Sequence, residues 1–355
     1  MRRSPSCAGA SGSSAEPACR ARRLPLPAVT ARAPLDIPLC RSYLGPVSDS
    51  SSPSVRSFCD EALGFTIPSR NARGRLVRLG AALDDVLSAH RYPPVIEKLV
   101  AEALVLASLL GALLKDEVGQ LTLQAQTEHG VVSLLVADYQ GGAVRGYAQF
   151  DEDRLAELGE SPTLFGLFGK GYLAITFDQA VTGERYQGIV PLEGTGLGAA
   201  AEHYFAQSEQ IPSIVHIAVR HDPGEGCIGA GMLLQHLPAG EVGRERLHVR
   251  HDHPDWEHVM ILGRSLSDAE LTDPALPLSD IAWRLFHEEE EVRAFDPVAI
   301  SKGCRCDLDH IRSVLGRFGA PERAEMADER GIIGVDCAFC ARVFEVTLAE
   351  FPDRR

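Results

Sequence analysis

Four of the nine cysteines in this 355-residue chain stand in two close pairs, Cys304-Arg-Cys306 and Cys337-Ala-Phe-Cys340. Zinc takes four thiolates in a tetrahedron, and close pairs on tight turns supply two ligands each. Cys-x2-Cys at the tip of a hairpin is the usual zinc knuckle, and Cys-x-Cys is its less common counterpart. The size of the surrounding segment strengthens the metal reading. Residues 300–355 are too few for a core worth more than roughly 3–5 kcal/mol, whereas a structural zinc contributes roughly 10–16 kcal/mol of binding coupled to folding. The segment is expected to fold with metal and to unfold without it. Four cysteines leave no open coordination position, which argues against a hydrolytic zinc. What remains is a structural or a redox zinc. Thiolates are oxidisable, and each pair is near enough to close a disulfide locally, at some strain. Oxidation is therefore expected to remove the ion and unfold the segment at once.

The other five cysteines carry no such pattern. Cys7, Cys19 and Cys40 lie in the first 56 residues, Cys59 lies beside them, and Cys227 falls in a Gly-rich stretch, Pro223–Gly231, that reads as a turn. All five are expected to be free thiols.

Charge divides the chain in two. The formal net charge is −14, yet residues 1–56 hold eight Arg, no Lys and three acids, so the rest carries −19. An acidic body argues against a general nucleic-acid binder, which needs clustered Lys and Arg facing phosphates. The basic head is rich in Ser, Pro, Ala and Arg, shows no sustained period, and reads as disordered. It has no apolar run of the secretory kind; it fits an upstream start, an inert tail or an organellar transit peptide. The expected location is the cytoplasm, or an organelle if the head is a transit peptide. The most hydrophobic window is Val95–Leu114, whose charge-free part, Ala103–Leu114, is shorter than the about 20 residues a membrane span needs. It predicts a core helix with Pro93 and Pro94 in its first turn, and a soluble protein.

Periodicity predicts an α+β fold. Leu76 to Ala89 has helical spacing. The runs Gln120–Gln126, Val131–Ala137 and Val144–Phe150, parted by turn residues, read as an antiparallel meander. Strands follow at Tyr172–Phe177, Tyr186–Leu192 and Ile214–Val219, with a helix near Leu197–Ser208. Residues 241–300 read as a linker whose short amphipathic helices, around Trp256–Leu262 and Trp283–Phe286, must dock on a neighbour. In residues 301–355, Leu308–Phe318 reads as a helix with Asp307 as N-cap and Gly319 as C-cap. There Ile332–Asp336 and Ala341–Thr347 read as hairpin arms, with Cys337–Cys340 at the tip. The expected units are a head (1–56), an α+β core (57–240), the linker (241–300) and a zinc-binding unit (301–355).

Several motifs outside the cysteines are also distinctive: Gly183-Glu-Arg-Tyr-Gln-Gly188, Leu192-Glu-Gly194, Tyr204-Phe205 with Ser208-Glu-Gln210, Gly231-Met-Leu-Leu-Gln235, and Trp283-Arg-Leu-Phe-His-Glu-Glu289. Together with the cysteine pairs, over roughly residues 58–350, they resemble the thirty-three kilodalton heat-shock protein family of redox-regulated holdase chaperones. The resemblance implies an N-terminal chaperone domain, a metastable linker and a C-terminal redox switch. It further implies that Cys304, Cys306, Cys337 and Cys340 hold one Zn2+ in the reduced form, and that oxidation forms disulfides Cys304–Cys306 and Cys337–Cys340. The linker then unfolds, and the activated protein, usually a homodimer, holds unfolded client proteins without ATP. The head and the His248–His258 segment depart from the family pattern.

Rival readings rest on weaker signals. Gly194-Thr-Gly196-Leu-Gly198-Ala199 matches the dinucleotide fingerprint of an oxidoreductase, with Asp222 placed for a ribose contact. Pro191 disturbs the parallel strand that it would need. His248, His251, His253 and His258 suit a metal less well than a solvated linker, and His287 precedes a solvated acidic run, Glu288–Glu291. No hydrolase, P-loop or metalloprotease signature is present, so the chain is read as a binding protein rather than an enzyme. A zinc-ribbon adaptor is the other alternative. However, Arg305, Arg312, Arg317, Arg323 and Arg330 are outnumbered by acids and form no basic stripe, which disfavours nucleic acid as its partner.

Overall fold

The computed structural model describes residues 58–114, 118–159, 162–181, 183–222, 226–237 and 253–351. Cys7, Cys19, Cys40, His248 and His251 lie outside these residues, as does the head. In chain order the elements begin with β1 (Glu61–Ile67), β2 (Ala72–Leu79), α1 (Ala81–Leu87) and α2 (Pro94–Gly111). Next come β3 (Gln120–Gln126), β4 (Val132–Gln140), β5 (Ala143–Phe150), α3 (Glu152–Ala156), α4 (Leu164–Phe168), β6 (Tyr172–Gln179) and β7 (Glu184–Pro191). Then follow α5 (Leu197–Tyr204), β8 (Ser213–Asp222), β9 (Gly226–His236), α6 (Pro254–Arg264), α7 (Asp268–Leu271) and α8 (Leu278–Phe286). Three two-residue strands, β10 (Arg293–Ala294), β11 (Val298–Ala299) and β12 (Ser301–Lys302), lead to α9 (Leu308–Leu315), α10 (Ala320–Met326), β13 (Ile332–Asp336) and β14 (Val343–Thr347).

The strands form two large sheets and a small hairpin, as an α+β chain should. The first sheet runs β10-β1-β2-β9-β8, with β11 also paired to β1, and the second runs β12-β5-β4-β3-β6-β7. Pairing is antiparallel except between β12 and β5. Between the sheets lies α2, which packs on strands of both. From Ala103 to Gly111 every residue is buried, so this half of the helix has no polar face, and its one hydroxyl, Ser108, donates to the Leu104 carbonyl at 2.8 Å. Pro94 opens it, as anticipated. Its last residue, Gly111, lies under Tyr139, where a Cβ would fall 2.2 Å from the ring.

The two sheets differ in how they are covered. The second turns Leu121, Leu123, Leu135 and Ile175 to α2. On its other side it shows polar ladders, such as Gln120 with Thr122 and Gln187 with Thr176. The first sheet is buried on both faces. Val77, Leu79 and Leu233 meet α2, while Leu63, Phe65, Ile67, Leu76, Met232 and Leu234 meet Trp256, Val259, Leu271, Leu278, Ile281, Leu285 and Phe286 from α6–α8. The short helices of the 241–300 stretch therefore dock on the far face of this sheet. Trp283 points the other way, 62% exposed.

Double coverage corrects two sequence expectations. The helix expected from Leu76 begins only at Ala81, because Leu76–Leu79 belong to β2. A strand buried on both faces reads as a continuous apolar run, and spacing alone does not separate it from a helix. For the same reason Cys227 lies not in a turn but in β9, fully buried. The glycines there, Gly229 and Gly231, let α2 approach: a Cβ at either would sit 2.7–2.8 Å from Val105. Gly319 is also not a C-cap. Gly316 ends α9, and Gly319 instead starts α10, where its N–H donates to Glu322 at 2.7 Å. Pro321, having no N–H, fits a first helical turn.

Polar clasps fasten α6–α8. Glu289, expected in a solvated run, has a side chain only 4% exposed. It accepts from Arg70 at 2.9 Å and Ser69 at 3.0 Å and pairs with His258 at 2.9 Å, while Arg70 also reaches Asp255. Burial works against the Glu289 charge, but these hydrogen bonds hold its pKa below the usual value. Deeper still, Arg78 is fully buried and donates to the carbonyls of Leu271 (2.9 Å), Leu276 (2.6 Å), Phe58 (3.2 Å) and Glu270 (3.4 Å). Arg78→Met is expected to orphan these carbonyls and cost on the order of 3 kcal/mol, read as a lower urea midpoint. An unchanged midpoint would refute the role.

Candidate metal centre

Two rigid frames carry the cysteines. One is the β13–β14 hairpin, paired from Ile332–Thr347 to Asp336–Val343. At its tip Cys337 N–H donates to the Arg342 carbonyl and Ala341 N–H to the Cys337 carbonyl, with Ala341 in left-handed backbone at φ 54°. This tight turn sets Cys337 and Cys340 on one side. The other frame is the stretch between β12 and α9. Its entry is pinned to β5, where Gly303 N–H donates to Val144 at 2.8 Å. Its exit is the Asp307 cap that the sequence suggested, accepting from the N–H groups of Asp309 and His310 at 3.3 Å.

The frames bring all four sulfurs within 4.8 Å of one another. Across the pairs, Cys304 lies 3.5 Å from Cys337 and Cys306 lies 3.6 Å from Cys340. A tetrahedral ion with bonds of about 2.3 Å would space its sulfurs by about 3.8 Å, so the residues fit such a group. The thiol chemistry fits it too. Against the cost of burial, the Cys306 N–H and the thiols of Cys306, Cys340 and Cys337 bring the Cys304 pKa down to about 7. Burial, with the bonds to Cys304 and Cys340 and repulsion from Cys304 and Cys337, pushes Cys306 up to about 12, and burial also raises Cys340. Cys304 thus gives up its proton readily, while Cys306 and Cys340 hold theirs unless a cation balances the charge.

The apolar core of the cysteine-bearing unit is Leu315, Ile333 and Val346, with Leu308, Ile311, Val335, Leu348 and Phe351 partly buried around them. Neither Cys59 nor Cys227 joins the cluster. Burial, then Glu97 and Asp84, pushes the Cys227 thiol up to about 12.

The rival motifs go elsewhere. Strand β7, ahead of Gly194–Ala199, is the antiparallel edge of the second sheet, and α5 leads on to β8 in the first. No parallel β-α-β unit surrounds the fingerprint, and Pro191 sits on an edge strand that tolerates it. His253 accepts from Asp255 N–H at the start of α6, and His258 is the partner of Glu289, so both serve the packing of α6. Arg312 pairs with Glu350 and Asp309, Arg330 with Asp328, and Arg323 stacks over Phe351. Among the described residues no helix is long and apolar enough to cross a membrane.

Comparison with known proteins agrees in fold and sequence. The family model described as Hsp33 protein matches residues 60–347. A 33 kDa chaperonin of Caulobacter vibrioides is 39% identical over 301 residues, covering 83% of this chain and 97% of that protein. The 33 kDa chaperonin of Yersinia pestis is 34% identical over 282 residues, covering 79% and 90%. The crystal structure of the 33 kDa chaperonin (heat shock protein 33 homolog) from Thermotoga maritima shares the fold, with a TM-score of 0.66 at 22% identity over 82% of this chain and 96% of that one.

Proposed function

This chain belongs to the Hsp33 protein family, and from that premise we propose that it is a redox-regulated, ATP-independent holdase that binds unfolding proteins under oxidative stress. The observation that carries the reading is the gathering of Cys304, Cys306, Cys337 and Cys340 within 4.8 Å in a unit whose buried apolar side chains, among the described residues, are Leu315, Ile333, Phe344 and Val346. In this reading those four residues hold one Zn2+. When bound, the ion keeps the sulfurs as thiolates and ties the two pairs together. Residues 57–240 are the chaperone core, 241–300 the metastable linker and 301–355 the switch, with 1–56 a separable head.

Oxidation works on the chain's own sulfurs. A thiolate attacks one oxygen of a peroxide, giving a sulfenic acid and hydroxide; its neighbour displaces the second hydroxide and closes the disulfide. Two electrons leave the sulfurs, and two protons turn the hydroxides into water. Done at Cys304–Cys306 and at Cys337–Cys340, this consumes two peroxides and leaves no thiolate for the metal. The switch then loses its main source of folding energy.

What the loss achieves follows from the far face of the first sheet. Under α6–α8 lie Leu63, Phe65, Ile67, Leu76, Met232 and Leu234. Lifting the helices bares a contiguous apolar surface, the kind that binds unfolded chains. The −19 carried outside the head keeps such a protein in solution. Clients and, once activated, a second copy of the chain are the partners in this reading, with the cytoplasm as the place of action.

The test follows zinc and chaperone activity together. Peroxide with mild heat is expected to release one zinc per chain and, in parallel, suppress aggregation of an unfolding client, with both cysteine pairs recovered as disulfides by mass spectrometry. Full suppression by the reduced, zinc-loaded chain would sink the proposal.

A further inference from the structure

Each half of the cysteine cluster carries, between its two cysteines, one residue that grips the second sheet. Arg305, inside Cys304–Cys306, donates to Asp138 Oδ2 at 3.0 Å and to Gln140 Oε1 at 2.7 Å. Phe339, inside Cys337–Cys340, lies under the Arg145 guanidinium, 4.0 Å from Cζ to the ring centroid, and meets Tyr147 edge-on at 5.1 Å. The receiving residues form one patch. Asp138 on β4 and Arg145 on β5 are register partners, and Arg145 donates to the same Asp138 oxygen at 2.7–2.8 Å. The Asp138 side chain is only 3% exposed, and both guanidiniums meet its Oδ2. Its Oδ1 makes no hydrogen bond among the described residues.

We propose that Asp138, Arg145 and Tyr147 form a latch for the switch, and that the thiolate cluster decides whether the latch is gripped by two hooks at once or by each singly. The inference rests on the reading that the four sulfurs hold one metal ion. With the ion in place, the Arg305 hook and the Phe339 hook are one rigid body, so when one is seated the other is delivered at high effective concentration. Without it, the hooks sit more than thirty residues apart on a segment with almost no core of its own. Two weak contacts that no longer reinforce each other do not hold a domain. A disulfide within each pair has the same consequence, since it ties each hook to itself and nothing ties the two together. Arg305 and Phe339 are positioning residues: they touch no client and supply no sulfur.

The test uses the full-length reduced chain and two readouts. Amide hydrogen exchange at Ser301 and Gly303, whose N–H groups donate to Gly142 and Val144 of the second sheet's edge, reports undocking, supported by radical footprinting of Tyr147. Zinc content reports the metal. In the wild type, chelating the metal under reductant is expected to raise exchange at both amides on the order of a hundredfold, the scale of lost bivalency, and to expose Tyr147. The double variant Arg305→Gln with Phe339→Ala should show the same rise while still holding one zinc per chain. Each single variant should show part of it, with the two effects not additive. Zinc retained in the double variant with exchange unchanged would overturn the latch; a wild type without zinc would overturn the metal reading instead. Exchange unchanged on chelation of a zinc-loaded wild type also overturns the latch, whatever peroxide does.

Discussion

If the four cysteines hold a metal as proposed, removing it from the reduced chain is expected to unfold residues 304–351 and to leave the two large sheets with their own melting transition. The size of the effect comes from what the small unit lacks. Leu315, Ile333 and Val346 are its buried core, while metal binding at such a site supplies roughly 10–16 kcal/mol tied to folding. Limited proteolysis after chelation should cut within 304–351 before any cut in the sheets, and calorimetry should keep the main transition. Cys340→Ser should reproduce both effects without chelator. Affinity for the ion should fall as pH falls, because protons compete for the sulfurs and Cys306 in the empty cluster holds its proton up to about 12. A unit that stays protease-resistant after complete chelation would contradict this account.

The second large effect lies on the far face of the first sheet. Phe286 is fully buried, with its ring 5.8 Å from that of Phe65. It ends the stripe Leu278, Ile281, Ala282, Leu285 and Phe286, the side of α8 turned to the sheet. Phe286→Ala is expected to weaken the seating of α8 by about 3–5 kcal/mol. The consequence is aggregation suppression by the reduced chain with its zinc still bound. Trp283→Ala, on the exposed side of the same helix, should alter neither stability nor activity by much. If Phe286→Ala lowers the melting temperature without creating activity, the client surface is not the one beneath α8.

How much of this could be read from residues alone depended on whether a strand shows one face to water. Gln120–Gln126 alternates polar and apolar because the second sheet has a core side and a polar side, and its limits were legible to the residue. Strand β2 hides Val77 and Leu79 under α2 and Leu76 on the opposite side, leaving no alternation to detect; β1 and β9 share the problem. The gathering of the four cysteines was legible because ligand spacing is chemistry rather than packing. Its grip on the second sheet was not. Asp138 and Arg145 are close across one hairpin, but Arg305 reaches them from more than 150 residues away, and no local pattern records that meeting. The acidic run ahead of β10 misled for a related reason: three of its carboxylates keep water, and Glu289 is claimed by Arg70 from the β1–β2 turn.

The short strands β10, β11 and β12 form a strap, and its course has one more consequence. Residues 293–300 run along β1, with Phe295 donating to Gly64 and Ile300 to Asp60, and the chain then crosses to lie beside β5. The strap thus closes an outer edge of both large sheets. If the switch lets go as proposed and the strap peels away with it, β1 and β5 would be left with rows of backbone donors and acceptors facing solvent, an invitation to any extended chain. The working state of this protein would then offer its clients hydrogen-bonding edges as well as an oily surface. It would offer the same edges to its own copies, which would favour self-association of the activated protein.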